Sequence, residues 1–185
     1  AEVLERHARA VQAKTSTAKV YLDYAALLRA NPVGKDTPRA VLELGITVLP
    51  EATELHEALV QDHLRSGDAE KALAVAQAHA NGPHAPATAT ALLGGLYERL
   101  GRIPQATEVF RKLAAEHPQR PDWRYKLAQL EVTGKQDTAA VTLLRGLVAE
   151  RPFDAANYVA LAGLASRTSA TEALSVARQM AAVDG

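Results

Sequence analysis

The apolar positions of the chain recur at helical spacing and predict helices separated by short polar turns. In the middle of the chain, Leu93 and Tyr97 lie four residues apart, and Ala106, Phe110 and Leu113 follow at spacings of four and three. Residues at these spacings share one face of an α-helix. The same pattern predicts eleven helices, at approximately 1–14, 19–30, 38–49, 53–65, 69–80, 87–99, 103–116, 121–133, 137–150, 155–166 and 170–182. We therefore expect an all-α fold.

The predicted helix ends coincide with residues that favour turns or helix caps. Gly101 separates two helices, and Pro118 ends the second of them because a proline disfavours helical geometry at the residue before it. Thr37, Asp68 and Asp137 stand where N-cap residues are expected. These signals predict short turns between consecutive helices.

Two series of residues recur with a period of 34. They are a leucine series and an alanine series, at Leu59, Leu93, Leu127 and Leu161 and at Ala72, Ala106 and Ala140. A repeat of this length that contains two amphipathic helices predicts stacked helix pairs. Alanine at a fixed position in each unit predicts close crossing of the two helices, with larger side chains filling the space beside it.

Residues 87–120 carry the most complete repeat, which is marked by Leu93, Gly94, Tyr97, Gly101, Ala106, Phe110 and Pro118. This segment resembles the tetratricopeptide repeat family. The resemblance implies an all-α, right-handed superhelical solenoid of antiparallel helix pairs. It divides the chain into a trailing half-repeat, a divergent repeat, three full repeats and a repeat one residue short, at 1–18, 19–52, 53–86, 87–120, 121–154 and 155–185. We expect one continuous array that is a fragment of a longer protein.

Composition narrows the classes of partner and compartment. Lys plus Arg and Asp plus Glu each total 21, so we expect no electrostatic attraction to nucleic acid and no nucleic-acid partner. The absence of cysteine excludes disulfides and thiol catalysis, and it fits a reducing cytoplasm and an oxidising periplasm equally well. No run approaches the roughly 18 apolar residues that a membrane-spanning helix needs, so we expect no membrane insertion by this chain.

The histidines are the conspicuous candidates for catalysis or metal binding. Three of the six, His56, His63 and His79, lie in one repeat and at packing positions. We expect neutral, buried imidazoles rather than a metal site, because spacing shows no further ligands. The chain has no hydrolase, metalloprotease or nucleotide-binding motif. The sequence therefore predicts a protein that is not an enzyme and that has no cofactor.

The family resemblance also implies a binding surface. The first helix of each pair lines a concave groove, and the partner would be a peptide or protein that lies in it. The candidate contact residues are Glu57, Gln61, Arg65, Glu98, Arg99, Asp122, Tyr125, Gln129 and Arg167. Gly95 and Gly163 predict a shallow, less polar stretch that suits a helix or an extended segment. An ordinary solvated face is the alternative.

The alanine-rich, degenerate units are also similar to bacterial arrays that take part in exopolysaccharide assembly and export, including exosortase-linked tetratricopeptide lipoproteins. That resemblance implies an exported, periplasmic scaffold. A cytoplasmic adaptor and a non-catalytic, substrate-presenting arm of a larger enzyme are the alternatives. The last predicted helix has an apolar stripe at Leu174, Ala177, Met180 and Ala181. We expect further repeats or a second copy of the chain to cover it.

Overall fold

The computed structural model describes residues 2–14, 17–32, 35–151, 154–167 and 169–183. Within them lie eleven α-helices and no β-strand. The helices are α1 (Glu2–Gln12), α2 (Ala18–Ala30), α3 (Pro38–Val48), α4 (Thr53–Arg65), α5 (Ala69–Ala80), α6 (Ala87–Arg99), α7 (Ile103–Glu116), α8 (Pro121–Thr133), α9 (Asp137–Glu150), α10 (Ala155–Ala165) and α11 (Ala170–Val183). The predicted all-α class is confirmed. None of these helices is long and apolar enough to cross a membrane.

The chain packs as two compact units, Ala1–Leu96 and Tyr97–Gly185. In the first unit α2 packs against α3, α3 against α4, and α4 against α5. In the second unit α7 packs against α8, α8 against α9, α9 against α10, and α10 against α11. Short connections between packed neighbours, such as residues 66–68 and 134–136, make consecutive helices antiparallel.

A left-handed residue closes the first helix of successive pairs. Gly67, Gly101 and Lys135 are 34 residues apart and have φ angles of 79°, 70° and 62°. Each turn has the same pair of backbone hydrogen bonds, as in Lys135 N–H to the Val132 carbonyl at 3.0 Å and Gln136 N–H to the Glu131 carbonyl at 2.8 Å. The predicted turn at Gly101 is confirmed. The break between the helices at 134–136 was also predicted, but the left-handed conformation of Lys135 was not, because lysine is not typical of left-handed backbone.

The three predicted N-cap residues have different outcomes. Thr37 caps α3, since its hydroxyl accepts a hydrogen bond from the Ala40 N–H at 3.2 Å. Asp68 precedes α5 as predicted, but its carboxylate binds Lys71 instead of capping the helix. The prediction for Asp137 is wrong: Gln136 is the N-cap, because its N–H still belongs to the left-handed turn, and Asp137 is the first helical residue.

The first unit is held together by large side chains that pack against very small ones. Tyr21 and Leu42 are completely buried in its core. A Cβ atom on Gly45 of α3 would lie 2.9 Å from Cγ of Tyr21 on α2, so only glycine permits this approach. At the surface, the Asp62 carboxylate of α4 binds Arg39 of α3 at 3.0 Å. Packing rather than this partly exposed ion pair therefore dominates the stability of the unit.

The second unit has its core around Ala140 of α9. Ala140 is 0% exposed and belongs to a cluster with Ala128, Leu144, Tyr158 and Leu161. The other two members of the alanine series, Ala72 and Ala106, are also 0% exposed. The prediction that the alanine series occupies packed positions is confirmed.

The apolar stripe predicted on the last helix is only partly exposed. Leu174 is 57% exposed, and Ala177 and Ala181 are exposed as well. Met180 differs from the prediction, because it is half-buried against the core of the second unit. Its long, flexible side chain reaches that core from the edge of the stripe. Coverage of the stripe by a second copy of the chain stays a prediction.

Lys135→Gly should stabilise the protein by about 0.5–1 kcal/mol, because glycine adopts left-handed backbone without a steric penalty. The free energy of unfolding from urea denaturation measures the effect. Lys135→Ala is the matched control, since it removes the same exposed side chain and keeps the strained φ. Equal stability of the glycine and alanine variants would contradict a cost at this position.

Ala140→Phe should destabilise the protein by roughly 1–3 kcal/mol, because a large ring cannot enter the packed crossing without shifting its neighbours. Ala139→Phe is the matched control: Ala139 precedes it on α9 and is exposed. Thermal unfolding of both variants tests the packing. If the two variants melted at the same temperature, Ala140 would not lie at a packed crossing.

Candidate functional site

The second unit contains a cleft built mainly by α8 and α10, here called the α8–α10 cleft. Its volume is about 510 Å³, within the range typical of ligand sites. It is lined by Glu98, Tyr125, Gln129, Val132, Ala160, Gly163, Leu164 and Arg167. Four of these residues, Glu98, Tyr125, Gln129 and Arg167, are predicted contact residues.

The helical period of α8 explains which of its side chains reach the cleft. Tyr125, Gln129 and Val132 are spaced by four and three residues and therefore share one face. Tyr125 is half-buried and packs against the core of the second unit, whereas Gln129 is exposed. Other positions of the helix, among them Leu127, are buried. The α8 face of the cleft thus has the Tyr125 ring, which the core supports, and next to it the exposed amide of Gln129.

The α10 side of the cleft is apolar and open. Ala160, Gly163 and Leu164 contribute to it, and Leu164 is 3% exposed. A Cβ atom at Gly163 would have no neighbouring heavy atom within 4 Å. The prediction of a shallow surface at this glycine therefore agrees with the space above it. A larger side chain at this position would project into the cleft.

The charged residues of the α8–α10 cleft are paired. Glu98 lies 2.7 Å from Nζ of Lys126, and Arg167 lies 3.4 Å from the Asp137 carboxylate. Each pair joins one cationic and one anionic side chain. The cleft therefore has no unpaired excess of either sign among these four residues, and it does not favour a strongly charged partner.

A second cleft of about 400 Å³ lies at the start of α8, here called the α8 N-terminal cleft. Its lining residues are Arg120, Pro121, Asp122, Tyr125, Arg151, Asp154, Ala156 and Asn157. The Arg120 guanidinium donates to both Asp122 oxygens at 3.0 and 2.8 Å, and these hydrogen bonds lower the pKa of Asp122. Tyr125 lines both clefts, so its side chain stands between them.

The remaining predicted contact residues lie outside these two clefts. Glu57, Gln61 and Arg65 follow one face of α4 in the first unit. Arg65 folds back on its own helix, where its Nε donates to the Gln61 carbonyl at 3.1 Å. Arg99 is exposed at the last residue of α6.

Some residues that line the two clefts, or that pair with their side chains, were not predicted from the sequence. Lys126 lines neither cleft but pairs with Glu98. It was missed because the candidate set contained only groove positions of first helices, and this ion pair was not visible in the spacing. Asn157 is 3% exposed on α10 and lines the α8 N-terminal cleft. An asparagine in an otherwise apolar helix is the signal that could have identified it, because buried amides usually have a structural or binding role.

Three histidines of the first unit occupy the predicted packing positions. His56, His63 and His79 are 7%, 6% and 5% exposed. The rings of His56 and His79 stack, with centroids 3.7 Å apart and planes 8° from parallel. His56 donates from Nε2 to the Pro50 carbonyl at 3.0 Å, since a carbonyl can only accept. Nε2 of His79 forms a 3.1 Å hydrogen bond with the Thr53 hydroxyl.

Both stacked imidazoles favour the neutral form. Burial lowers the pKa of His56, and burial together with the neighbouring His56 lowers the pKa of His79 to about 4. Among the described residues, no group of three or more His, Asp or Glu side chains has an arrangement that could hold a metal ion. Absence of a metal at His56, His63 and His79 remains a prediction.

Acidification should destabilise the first unit through His79. Its pKa is about 4 in the folded chain and near 6.5 when unfolded, so below pH 6.5 the unfolded state binds the extra proton. The free energy of unfolding should therefore fall by about 2 kcal/mol between pH 7 and pH 5 on account of this residue. Above pH 6.5 the contribution vanishes.

Urea denaturation of the parent and of His79→Gln at several pH values isolates this contribution, because other titrating groups are common to both. The difference between the two free energies should change with pH between 7 and 5. A constant difference over that range would show that His79 titrates normally in the folded protein.

Family models and solved structures provide an independent comparison. Two family models described as tetratricopeptide repeat match residues 57–121 and 97–165. Together they extend over the end of the first unit and most of the second. No curated protein matches the chain by sequence.

Several solved structures share this fold at low sequence identity. The MamA protein is 14% identical with a TM-score of 0.66, and the match covers 90% of this chain and 91% of that chain. YrrB, described as a TPR protein with an unusual peptide-binding site, is 12% identical with a TM-score of 0.63, covering 97% and 93%. PilF of Pseudomonas aeruginosa is 14% identical with a TM-score of 0.65, covering 97% and 78%. At these identities the likeness shows the fold alone.

Proposed function

The chain belongs to the tetratricopeptide repeat family, and on that premise we propose that it is a scaffold that binds a peptide or protein segment in the α8–α10 cleft. The observation that carries the proposal is the position of Tyr125 between two clefts of about 510 and 400 Å³. The peptide-binding site described for the structural relative YrrB supports the same class of function.

Tyr125 has the physical properties of an interface anchor. Its ring is held from behind by the core of the second unit, so little conformational entropy is lost when a partner covers it. Tyrosine is also enriched among the residues that dominate binding energies at interfaces. A partner that crossed from one cleft to the other would contact this ring on the way. Tyr125 is therefore the expected centre of the contact surface.

The lining of the α8–α10 cleft indicates the chemistry of the bound segment. Val132, Ala160 and Leu164 favour small or medium apolar side chains, and the open space above Gly163 admits a backbone at close range. The Gln129 amide is exposed and can both donate to and accept from a peptide backbone. A helix or an extended segment with little net charge fits these features.

Arg99 and Asp122 are secondary contacts in this proposal, because they lie on helices that contribute to the two clefts. Glu57, Gln61 and Arg65 lie on one face of α4 in the first unit and form a separate set of proposed contact residues. Exposed charges of this kind contribute less binding energy than a buried ring. We also keep the division into 34-residue repeats as part of the proposal, because the register places these residues at equivalent positions.

The role of such a scaffold in exopolysaccharide assembly or export is a finer hypothesis. It rests on the similarity of the degenerate, alanine-rich units to exported bacterial arrays. A lipoprotein signal upstream in the full gene would support this hypothesis. A full gene that encodes no export signal would favour the cytoplasmic adaptor. A catalytic domain in the same reading frame would favour the substrate-presenting arm.

Tyr125→Ala should weaken partner binding roughly thirtyfold, the equivalent of about 2 kcal/mol, because it removes the central ring. The partner would be recovered from the source cells by affinity capture, purified and titrated by calorimetry. Arg99→Ala should weaken binding only about two- to fivefold.

Lys112→Ala is the control, since Lys112 is an exposed residue of α7 outside both clefts. Circular dichroism would establish that helicity is unchanged in all variants. Equal affinity of the Tyr125→Ala, Arg99→Ala and Lys112→Ala proteins would place the binding site elsewhere on the chain.

A further inference from the structure

The first unit contains a small pocket beside the stacked histidines, here called the His56 pocket. Its volume is about 230 Å³, and it is lined by Pro50, Glu51, His56, Ala78, His79, Gly82, Pro83, His84, Ala85 and Pro86. It lies where the α3–α4 connection meets the end of α5 and residues 81–86. Its volume falls below the roughly 300–1,000 Å³ of sites for whole small-molecule ligands. A single large side chain is therefore a better match than a cofactor.

The walls of the His56 pocket are apolar and stiff. Three prolines, Pro50, Pro83 and Pro86, restrict the backbone of both connections. The Pro50 carbonyl also accepts the 3.0 Å hydrogen bond from the His56 ring, which attaches the α3–α4 connection to the stacked imidazoles. A pocket whose walls are already fixed loses little entropy on binding.

The pocket surface suits a flat, aromatic group. Proline rings and an imidazole pair are ring surfaces, and aromatic groups pack well against such rings in offset or edge-on arrangements. The stacked imidazoles favour the neutral form at pH 7, so they do not repel a nearby cation. These features select for the shape and the polarity of the occupant.

Carboxylates beside the His56 pocket favour a positive charge next to the group that occupies it. Glu51 lines the pocket and is exposed, and it has no ion pair among the residues that the structure describes. Glu54 and Glu57 follow on α4, are also exposed, and likewise have no ion pair within the described chain. A cation close to the pocket would therefore be attracted by carboxylates that no lysine or arginine of these residues neutralises.

We propose that the His56 pocket binds an aromatic side chain of a partner protein whose neighbouring residue is lysine or arginine. The aromatic ring enters the pocket, and the adjacent cation pairs with Glu51. This surface belongs entirely to the first unit, so it does not depend on the function proposed for the α8–α10 cleft. Its chemistry also differs, because the charged residues of that cleft are already paired.

Three small probes separate the two components of this recognition. Benzamidine combines an aromatic ring with a cation, benzamide has a similar ring without the charge, and acetamidine has the cation without the ring. Each is titrated at pH 7.5 into the isotopically labelled chain, and the imidazole resonances of His56 and His79 are followed by NMR. Benzamidine should produce saturable shifts, benzamide should bind about two- to fivefold more weakly, and acetamidine should give no shift.

Substitutions then locate the site. Glu51→Gln should reduce the affinity for benzamidine to that for benzamide and leave benzamide binding unchanged. Ala78→Leu places a larger side chain at the pocket and should weaken benzamidine binding at least fivefold. Ala74→Leu is the matched control, because Ala74 lies one turn earlier on α5, is exposed, and is not part of the pocket.

Saturable His56 and His79 shifts that Ala78→Leu abolishes and Ala74→Leu retains would support the proposal. Absence of saturable shifts with benzamidine would overturn it. Equal affinities for benzamidine and benzamide, or shifts reproduced by acetamidine, would overturn it too, because one half of the recognition would be missing. If Ala78→Leu failed to fold by circular dichroism, the Glu51→Gln comparison alone would decide.

Discussion

Close crossing of paired helices is the constraint on which the rest of the structure depends. It requires a side chain as small as alanine at a fixed place in each pair, and Ala72, Ala106 and Ala140 are all completely buried. A residue with positive φ then reverses the chain direction between the two helices, and at Lys135 this residue is not a glycine. Since α9 packs against both α8 and α10, it holds these two helices beside each other, and Tyr125 and Gln129 lie at one cleft.

Periodicity in the sequence was sufficient to predict the helices and the buried histidines. Amphipathic spacing and turn residues limit where a helix can begin and end, so the predicted bounds agree with the structure to within two residues. What spacing could not supply were contacts between helices. Examples are the ion pair of Glu98 with Lys126 and the stacking of His56 on His79, which depend on side-chain directions rather than on register. The α8 N-terminal cleft was missed because irregular connections contribute to it.

The two units have candidate sites of different chemistry. In the second unit, the charged side chains of the α8–α10 cleft are paired, so shape and the Tyr125 ring would govern recognition. In the first unit, the pocket beside His56 is apolar, and the nearby Glu51 carboxylate is unpaired within the described residues. A scaffold with two such sites can bind two different segments, and if one partner contains both, linkage raises the effective concentration of the second.

The most direct test of the central claim uses two glycines of the second unit. Gly163 on α10 lines the α8–α10 cleft and Gly146 lies on α9, and a Cβ atom on either would meet no heavy atom within 4 Å. Gly163→Leu and Gly146→Leu therefore make the same chemical change without a clash at Cβ. Titration of the captured partner should show at least tenfold weaker binding to Gly163→Leu and unchanged binding to Gly146→Leu. Unchanged binding to Gly163→Leu would contradict the assignment of the cleft as the partner site.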